Sequence, residues 1–452
     1  MPLTRWLAEY AWLPDHAEPT PDVLIEAEGG RITAVTPLVG GGAPAAGVEV
    51  LGDAVRLPGL TLPGLANAHS HAFHRALRGR THGGRGDFWS WRDVMYDVAA
   101  RLDPDSYLAL ARAAYAEMAL AGITCVGEFH YLHHGPEGKP YADPNAMSAA
   151  LVEAAAHAGI RVTLLDTAYL TASVDGEELA GTQRRFGDGD ALRWAERVDA
   201  FRPENDHARL GAAIHSVRAV PAEQLATVAG WADRNGVPLH VHLSEQPAEN
   251  DACRAVHGCT PTRLLADHGV LGPHTTAVHA THPTSADVAL LGESRTGVCL
   301  CPTTERDLAD GIGPARRMAE AGSPLSLGSD SHAVVDLFEE ARAVELDERL
   351  RTRRRGHFSA AELVTAATVG SHAALGWGDA GRLSVGDRAD LVTVRLDSAR
   401  TAGVPPVGAF FAATAADVTH VVVDGRTVVA DGRHLTVDVP AELRSAIAEV
   451  TS

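Results

Sequence analysis

The stretch LTLPGLANAHSH at residues 60–71 decides the fold of this chain. In it, a run of mostly apolar residues ends abruptly in His69, Ser70 and His71. Parallel strands that are buried on both faces have near-continuous apolar sequences of this kind. Enzymes built on a barrel of parallel strands carry their functional side chains at the carboxyl ends of those strands. The stretch therefore predicts a buried parallel strand whose end contributes to a functional site.

Seven similar apolar runs follow, and each also ends in polar residues. Helical patterns separate the runs: Asp103-Pro104 is typical of a helix start, and Gly122 and Gly159 are typical of helix ends. Eight strands that alternate with helices are what a (β/α)₈ barrel requires. The eight runs lie at residues 60–71, 124–133, 161–170, 208–218, 237–246, 275–284, 296–305 and 324–332.

The two ends of the chain have a different pattern. Residues 1–59 contain short β segments broken by glycine turns, and THVVVDGRTVVADGRH (419–434) alternates apolar runs with Asp-Gly pairs. Asp-Gly favours tight hairpins because glycine adopts positive φ without strain. We predict a small β-sandwich domain assembled from residues 1–59 and 376–452. Residues 60–375 are then the catalytic (β/α)₈ barrel, which takes about 250 residues in its usual form.

Composition excludes several classes of protein. The net charge of −19 argues against binding to nucleic acid, which demands clusters of Lys and Arg. No stretch of about 18 apolar residues is present, so we expect a cytoplasmic protein that does not bind membranes. The five cysteines include no Cys-x-x-Cys pair. We expect them to be small buried residues and not disulfides or zinc ligands.

Histidine and acidic residues recur at the ends of the predicted strands. His69 and His71 are two residues apart, so both imidazoles of an extended strand point to the same side. The fifth run contains HVHLSE (240–245), the sixth contains His279, and GSDSH (328–332) ends the eighth. Zinc prefers nitrogen ligands and takes three or four protein groups. One such motif could occur by chance, but placement at four strand ends indicates a metal site.

Together these motifs resemble the amidohydrolase superfamily, and within it the deaminases that bind one metal ion. The segments that carry the resemblance are HSH (69–71), HLSE (242–245), VHATH (278–282) and GSDSH (328–332). The fourth run, GAAIHSVR (211–218), lacks the lysine that relatives with two metal ions carry there. The resemblance implies metal ligands at His69, His71, His242 and Asp330, and catalytic roles for Glu245, His279 and Asp330.

These implied roles suit one divalent metal ion, and ligand type favours zinc over iron or manganese. Zinc lowers the pKa of a bound water to about 7 and so supplies hydroxide at neutral pH. Glu245 would take the proton of that water and deliver it to the departing nitrogen. His279 and Asp330 would orient the water and stabilise the intermediate. The expected reaction is the hydrolytic removal of ammonia.

Further segments resemble one group of the superfamily, the formimidoylglutamate deiminases of histidine breakdown. They are HSHAFHRALRG (69–79), DFWSWRDVMY (87–96), GEFHYLHH (127–134) and HSVRAV (215–220). The resemblance covers essentially the whole chain and implies a homodimer that hydrolyses N-formimino-L-glutamate. Two arginines suit the two carboxylates of that substrate. Position 74 is His where the group has Gln. The implied substrate-binding residues are His74, Arg92, Tyr131, His215 and Arg218.

Other interpretations stay open. The chain could be a related deaminase that acts on a purine, a pterin or a guanidine-like compound. It could also be a non-catalytic barrel that serves as an oligomeric scaffold. Arg92 and Arg218 could form ordinary salt bridges in an acidic protein, and Tyr131 could pack at the barrel mouth. The histidines of HYLHH (130–134) are expected on a solvated loop.

Overall fold

The structure is a computed structural model that describes residues 3–38, 53–81, 88–203 and 206–452, with only the backbone described for residues 88–90. The chain begins with four strands that belong to one mixed sheet. They are β1 (Thr4–Ala11), β2 (Thr20–Glu28), β3 (Arg31–Pro37) and β4 (Val55–Pro63).

Eight parallel strands then form the barrel, and strands that are neighbours in sequence are neighbours in the sheet. The first and last strands meet at their carboxyl ends. Ser70 and Asp330 form a parallel bridge there, and the Asp330 N–H donates to the His69 carbonyl at 3.0 Å. The barrel is therefore nearly closed. Its strands are β5 (Leu65–Ser70), β6 (Ile123–His130), β7 (Arg161–Ala168), β8 (Ala208–Ile214), β9 (Leu239–Leu243), β10 (Thr275–His279), β11 (Gly297–Leu300) and β12 (Leu325–Leu327).

The C-terminal strands complete the mixed sheet. They are β13 (Leu391–Val394), β14 (Val418–Val423), β15 (Arg426–Ala430) and β16 (Arg433–His434). The order across the sheet is β16-β15-β14-β13-β4-β1-β2-β3, so β13 pairs with β4 and joins the two ends of the chain. The predicted fold class, a barrel with a small β domain built from both ends, is confirmed.

Seven of the eight predicted runs contain a whole barrel strand, and the run 124–133 contains all of β6 except its first residue, Ile123. The first run contains part of a second strand, because β4 ends at Pro63 in the mixed sheet and β5 begins at Leu65 in the barrel. Gly64 lies between them, where an added Cβ would come within 2.7 Å of the Asp390 Cβ. Glycine is therefore required where the chain passes from one sheet to the other. The exact domain boundaries, 59/60 and 375/376, stay a prediction.

Helices connect the barrel strands, and their ends follow the sequence signals. The Asp103 side chain accepts a hydrogen bond from the Ser106 N–H at a helix start. Gly122 and Gly159 have positive φ at helix ends, at 90° and 76°. The helices are α1 (Phe88–Arg101), α2 (Pro104–Leu120), α3 (Ala146–Ala158), α4 (Ala191–Asp199), α5 (Ala222–Asn235), α6 (Pro247–His257), α7 (Pro261–Asp267), α8 (Ser285–Glu293), α9 (Pro302–Asp307), α10 (Ala315–Ala321), α11 (Leu337–Thr352), α12 (Ala360–Thr365), α13 (Ser371–Ala374), α14 (Ala409–Ala412) and α15 (Val439–Thr451).

A buried ion pair joins the amino end of the barrel to the mixed sheet. Arg161 begins β7, and both of its terminal nitrogens donate to the Asp390 carboxylate, which immediately precedes β13. Its guanidinium also lies 5.0 Å from the centre of the Trp377 ring. Burial alone would raise the pKa of Asp390, but Arg161 holds that pKa below its usual value. The pair is a structural element at the end of the barrel opposite the predicted site.

Two expectations from composition can be compared with the structure. All five cysteines are free, and four of them are buried, as predicted. Within the described ranges, none of the helices has the length and apolar character needed to cross a membrane.

Candidate metal centre and active site

Three barrel strands end in non-glycine residues with positive φ. Ser244 (φ 51°) follows β9, His279 (φ 69°) and Ala280 (φ 49°) end β10, and Asp330 (φ 42°) follows β12. A residue in this conformation costs on the order of 1–3 kcal/mol, which the surrounding structure must offset. Such residues concentrate at functional sites. The strain marks the carboxyl end of the barrel as the functional face.

The four predicted metal ligands meet at this face. The Nε2 atoms of His69 and His71 each lie 3.4 Å from Asp330 Oδ1. The Nε2 atom of His242 lies 3.1 Å from that of His69. All four side chains are buried. The fold thus brings together side chains from β5, β9 and the segment after β12.

Backbone carbonyls fix the orientation of two of these histidines. His71 Nδ1 donates to the Phe129 carbonyl, and His242 Nδ1 donates to the His215 carbonyl, both at 2.9 Å. The Nε2 atoms of His71 and His242 therefore face the other ligands. Burial lowers the pKa of His71 to about 3 and the pKa of His242 well below its usual value. Both imidazoles are neutral, which is the form that binds a metal ion.

A zinc-sized cation fits this donor set. Tetrahedral zinc ligands lie about 2.0–2.1 Å from the ion and so about 3.3 Å from each other. Three separations within the set agree with that spacing: 3.1 Å between His69 and His242, and 3.4 Å from Asp330 to His69 and to His71. Asp330 is shared by two groups of possible ligand atoms, one with His69, His242 and His279 and the other with His71 and His74. Burial alone would raise the pKa of Asp330, but the neighbouring histidines hold it well below its usual value. The carboxylate is therefore charged and can balance a cation.

Glu245 and His279 flank the ligand cluster. His279 Nε2 lies 3.6 Å from Asp330 Oδ2 and 3.8 Å from Glu245 Oε1. Burial raises the pKa of Glu245, so this carboxyl group can carry a proton more readily than an exposed one. Burial would lower the pKa of His279, but the carboxylates of Glu245, Glu305 and Asp330 hold it well above its usual value. The site thus pairs a proton acceptor with a proton donor, as acid–base catalysis requires.

The five predicted substrate-binding residues line one inner cavity, together with members of the metal cluster. His74 Nε2 is hydrogen-bonded to Tyr131 Oη at 2.9 Å, so these two side chains form one unit. The ring of His215 is 5.5 Å from that of Tyr131. Arg92 and Arg218 also line an adjoining outer cavity of about 530 Å³. Arg92 and Arg218 therefore border both the inner and the outer cavity, as does Glu245.

Glu305 is a buried carboxylate that was not among the predicted site residues. Its Oε1 accepts a hydrogen bond from the Cys301 N–H at 3.0 Å and lies 3.3 Å from His279 Nδ1. Glu305 is the last residue of the predicted run 296–305. An acid at the carboxyl end of a barrel strand is a signal that could have identified it.

Glu128, on β6, is a second buried acid that the sequence analysis missed. It accepts hydrogen bonds from the Ala72 N–H at 2.7 Å and the Ser70 hydroxyl at 3.0 Å. These two partners flank His71, so Glu128 supports the segment that carries the first two ligands. Burial raises the pKa of Glu128 to about 8. Its position in the run 124–133 was the available signal.

The expectation that residues 130–134 form a solvated loop is wrong. The backbone N–H groups of His133 and His134 donate to the Arg185 carbonyl at 3.1 and 2.9 Å, which places this segment beneath the chain at residue 185. All three histidines of the segment are buried as a result. Their pattern in the sequence gave no sign of this distant backbone partner.

A second group of metal-type side chains lies behind this segment. His130, His133 and Asp166 come close enough to share an ion. Arg197, however, donates to both oxygens of Asp166, at 2.9 and 2.8 Å. Because that guanidinium already neutralises the carboxylate, the group is a buried ion-pair cluster and not a second metal centre.

Known proteins share both the sequence pattern and the fold. The profile of the amidohydrolase family matches residues 60–428. A formimidoylglutamate deiminase from Pseudomonas aeruginosa is 39% identical over 397 residues, which cover 84% of this chain and 87% of the relative. A 5-methylthioadenosine/S-adenosylhomocysteine deaminase from Halobacterium salinarum is 31% identical over 436 residues, covering 94% of this chain and 92% of the relative.

The crystal structure of an amidohydrolase from Brucella melitensis superposes with a TM-score of 0.88 at 32% identity. The superposition covers 99% of this chain and all of the other. The barrel and the mixed sheet therefore belong to a fold that is already known.

Proposed function

The chain belongs to the amidohydrolase family, and from that premise we propose that it hydrolyses N-formimino-L-glutamate to N-formyl-L-glutamate and ammonia. One observation carries the proposal. Arg92 and Arg218 line both the inner cavity that contains the His/Asp cluster and the outer cavity beside it. A substrate that reaches the cluster with an amidine can place its carboxylates against these two guanidinium groups.

The substrate has the chemistry that this cavity offers. Guanidinium groups bind carboxylates through paired hydrogen bonds, which fix orientation as well as charge. Tyr131 and His74, held together by their hydrogen bond, add polar groups between the arginines and the cluster. The similarity to the Pseudomonas aeruginosa formimidoylglutamate deiminase supports the same substrate.

The residues around the cluster provide the proton transfers of the reaction. A bound zinc ion would supply hydroxide at neutral pH by lowering the pKa of a water molecule. Glu245 accepts one proton of the attacking water and passes it to the terminal nitrogen of the amidine. The second proton of that water, which remains on the hydroxyl of the tetrahedral intermediate, moves to the same nitrogen through Glu245, and the nitrogen leaves as ammonia. The former amidine carbon keeps the water oxygen and becomes the formyl group. His279 donates from Nε2 to the oxygen that gains negative charge.

We also propose zinc as the bound ion and a homodimer as the assembly. Three imidazole nitrogens and one carboxylate oxygen are a ligand set typical of zinc. The prediction that the protein binds no nucleic acid rests on its net charge of −19. Elemental analysis tests the first proposal, and light scattering coupled to size-exclusion chromatography tests the second.

The proposed activity is tested by ammonia release from zinc-loaded protein. N-formimino-L-glutamate is compared with N-formiminoglycine, which has one carboxylate, and with guanine and 5′-methylthioadenosine, which have none. We expect turnover to be fastest with formiminoglutamate, weaker with formiminoglycine and absent with the purines. Turnover of a purine without turnover of formiminoglutamate would contradict the substrate assignment while leaving a metal-dependent deaminase.

A further inference from the structure

Glu305 contacts the active site only through another residue. It is buried in the short helix α9, which follows β11, and does not line the inner cavity. Its Oε1 accepts a hydrogen bond from the Cys301 N–H at 3.0 Å, and His279 Nδ1 lies 3.3 Å from the same oxygen. Since a carboxylate oxygen accepts, the hydrogen between them belongs to His279 Nδ1.

We propose that Glu305 is the positioning residue that fixes the rotation of the His279 ring. With Nδ1–H held by Glu305, the Nε2 atom faces Glu245 at 3.8 Å and Asp330 at 3.6 Å, where the reacting atoms of the substrate would lie. The other edge of the ring would leave a carbon atom in that place. The kinetic test of this inference rests on the proposed function, whereas its test by NMR of the His279 ring does not.

The surroundings of His279 explain why a positioning residue is needed. His242 stacks on the face of the His279 ring, with centroids 5.6 Å apart and planes inclined by 12°. Stacking is equally favourable in the two ring orientations related by a flip about the Cβ–Cγ bond, so it does not select one of them. A hydrogen bond to Nδ1 does not permit that flip. Glu305 therefore supplies the constraint that stacking cannot.

A second buried acid contacts helix α9 from another element and provides a matched control. Glu340, on α11, accepts hydrogen bonds from the Thr303 N–H at 2.9 Å and from the Thr303 hydroxyl. Both acids are buried, and both accept backbone hydrogen bonds at the start of α9, Glu305 from Cys301 and Glu340 from Thr303. Of the two, only Glu305 contacts His279. A change at Glu340 thus disturbs the same helix start without removing the contact to the imidazole.

The experiment compares Glu305→Ala, Glu305→Gln and Glu340→Ala in the zinc-loaded protein. Steady-state ammonia release gives kcat and KM, and zinc content is measured alongside. NMR of histidine labelled with nitrogen-15 follows the hydrogen-bonded Nδ1–H of His279, which is identified by its loss in His279→Gln. The amide oxygen of Gln can accept the same two hydrogen bonds, so Glu305→Gln tests position separately from charge.

We expect Glu305→Ala to lower kcat by about 10–100-fold, the usual effect of removing a group that orients an active-site histidine, with little change in KM. Its Nδ1–H resonance should be lost, and its zinc content kept. Glu305→Gln should keep most of kcat and the resonance. Glu340→Ala should lower the melting temperature but leave kcat and the resonance close to those of the wild type.

Three results would overturn the inference. They are a Glu305→Ala variant with the kcat of the wild type, the same resonance in that variant, or a Glu305→Gln variant as impaired as Glu305→Ala. If the wild-type protein releases no ammonia from formiminoglutamate, the proposed substrate is wrong. The NMR comparison still decides the role of Glu305 in that case.

Discussion

The Nε2 atoms of His69 and His242 lie 3.1 Å apart, although the two residues belong to the first and fifth strands of the barrel. Their rings are inclined by 88°, and the two nitrogens are within hydrogen-bonding distance of each other. The ring of Phe129 packs on both, at 5.1 and 4.3 Å between centroids. Two buried imidazole nitrogens that converge in this way, next to Asp330, have the spacing of metal ligands. The barrel therefore holds the donor atoms at that spacing through its own packing.

Metal binding should depend on this convergence. We expect His242→Ala to lose most of its bound zinc and its activity, because one of three nitrogen ligands is removed. Zinc should raise the melting temperature of the metal-free wild type, since an ion that binds only the folded state stabilises it by about 2.7 kcal/mol at 100 times its dissociation constant. Elemental analysis and thermal scans with and without zinc measure both effects.

His240 offers a control on the same strand. It lies two residues before His242 and is hydrogen-bonded to the Ala374 carbonyl at 2.8 Å, away from the ligand cluster. His240→Gln should keep one zinc ion per chain. Equal zinc loss in His240→Gln and His242→Ala would show that the strand, and not the ligand, was disturbed.

The arginines should determine how tightly the substrate binds. Removing a charge-assisted hydrogen bond typically costs about 1.5–3 kcal/mol, which corresponds to roughly 10–100-fold in kcat/KM. We expect Arg92→Met and Arg218→Met each to lower kcat/KM for formiminoglutamate by about this factor. Arg218→Lys keeps the charge but loses the paired geometry, so it should fall between wild type and Arg218→Met. Michaelis kinetics with formiminoglutamate and with formiminoglycine measure these effects. The prediction is contradicted if kcat/KM falls by the same factor for both substrates in both Met variants.

His74 and Tyr131 should act as one unit. Their side chains share a hydrogen bond of 2.9 Å, so His74→Ala and Tyr131→Phe each remove the same interaction. A hydrogen bond of this kind contributes about 0.5–1.5 kcal/mol. The loss of transition-state stabilisation in the double variant should therefore be smaller, by about that amount, than the sum of the losses in the two single variants. A double-mutant cycle on kcat/KM measures this difference, and strictly additive effects would argue against a shared role.

The barrel could be predicted from the sequence because its strands are buried on both faces. That environment demands apolar side chains throughout, and the polar residues that interrupt each run mark the carboxyl end. Strand geometry predicted that His69 and His71 share one side of an extended strand, whereas the full set of candidate ligands was implied by the resemblance to the amidohydrolase superfamily. The polar residues at the strand ends therefore indicated both the fold and the position of the candidate metal site.

Contacts between distant segments could not be predicted in the same way. Glu305 meets His279 across 26 residues, and the meeting depends on the positive φ of His279 and Ala280, which nothing in the local sequence requires. The sequence also did not indicate that residues 60–71 are divided between two sheets, because buried strands of both sheets contain the same apolar residue types. In each case the deciding partner lies far away in the sequence.

The buried pair of Arg161 and Asp390 should matter for stability and not for catalysis. Arg161→Met leaves the Asp390 carboxylate buried without its partner, which typically costs about 3–5 kcal/mol of unfolding free energy. Because the pair lies at the amino end of the barrel, the folded variant should keep the kcat/KM of the wild type. Urea unfolding at pH 8 and ammonia release at low temperature measure the two effects.

The pH dependence of that loss identifies its cause. In the wild type the pKa of Asp390 is held below its usual value. The ion pair therefore stabilises the folded state fully at pH values above the pKa of unfolded Asp, which is about 3.9. This stabilisation is lost only as the pH falls through the lower pKa that Asp390 has in the folded state. In Arg161→Met, burial without a partner should raise the pKa of Asp390, and protonation then relieves the unfavourable charge as pH falls. The stability deficit of the variant should therefore be largest at pH 8 and smaller at pH 5.5. A stability deficit that is equal at both pH values would mean that lost packing against Trp377, and not the unpaired carboxylate, destabilises the variant. In that case the double variant Arg161→Met/Asp390→Leu should be no more stable than Arg161→Met alone.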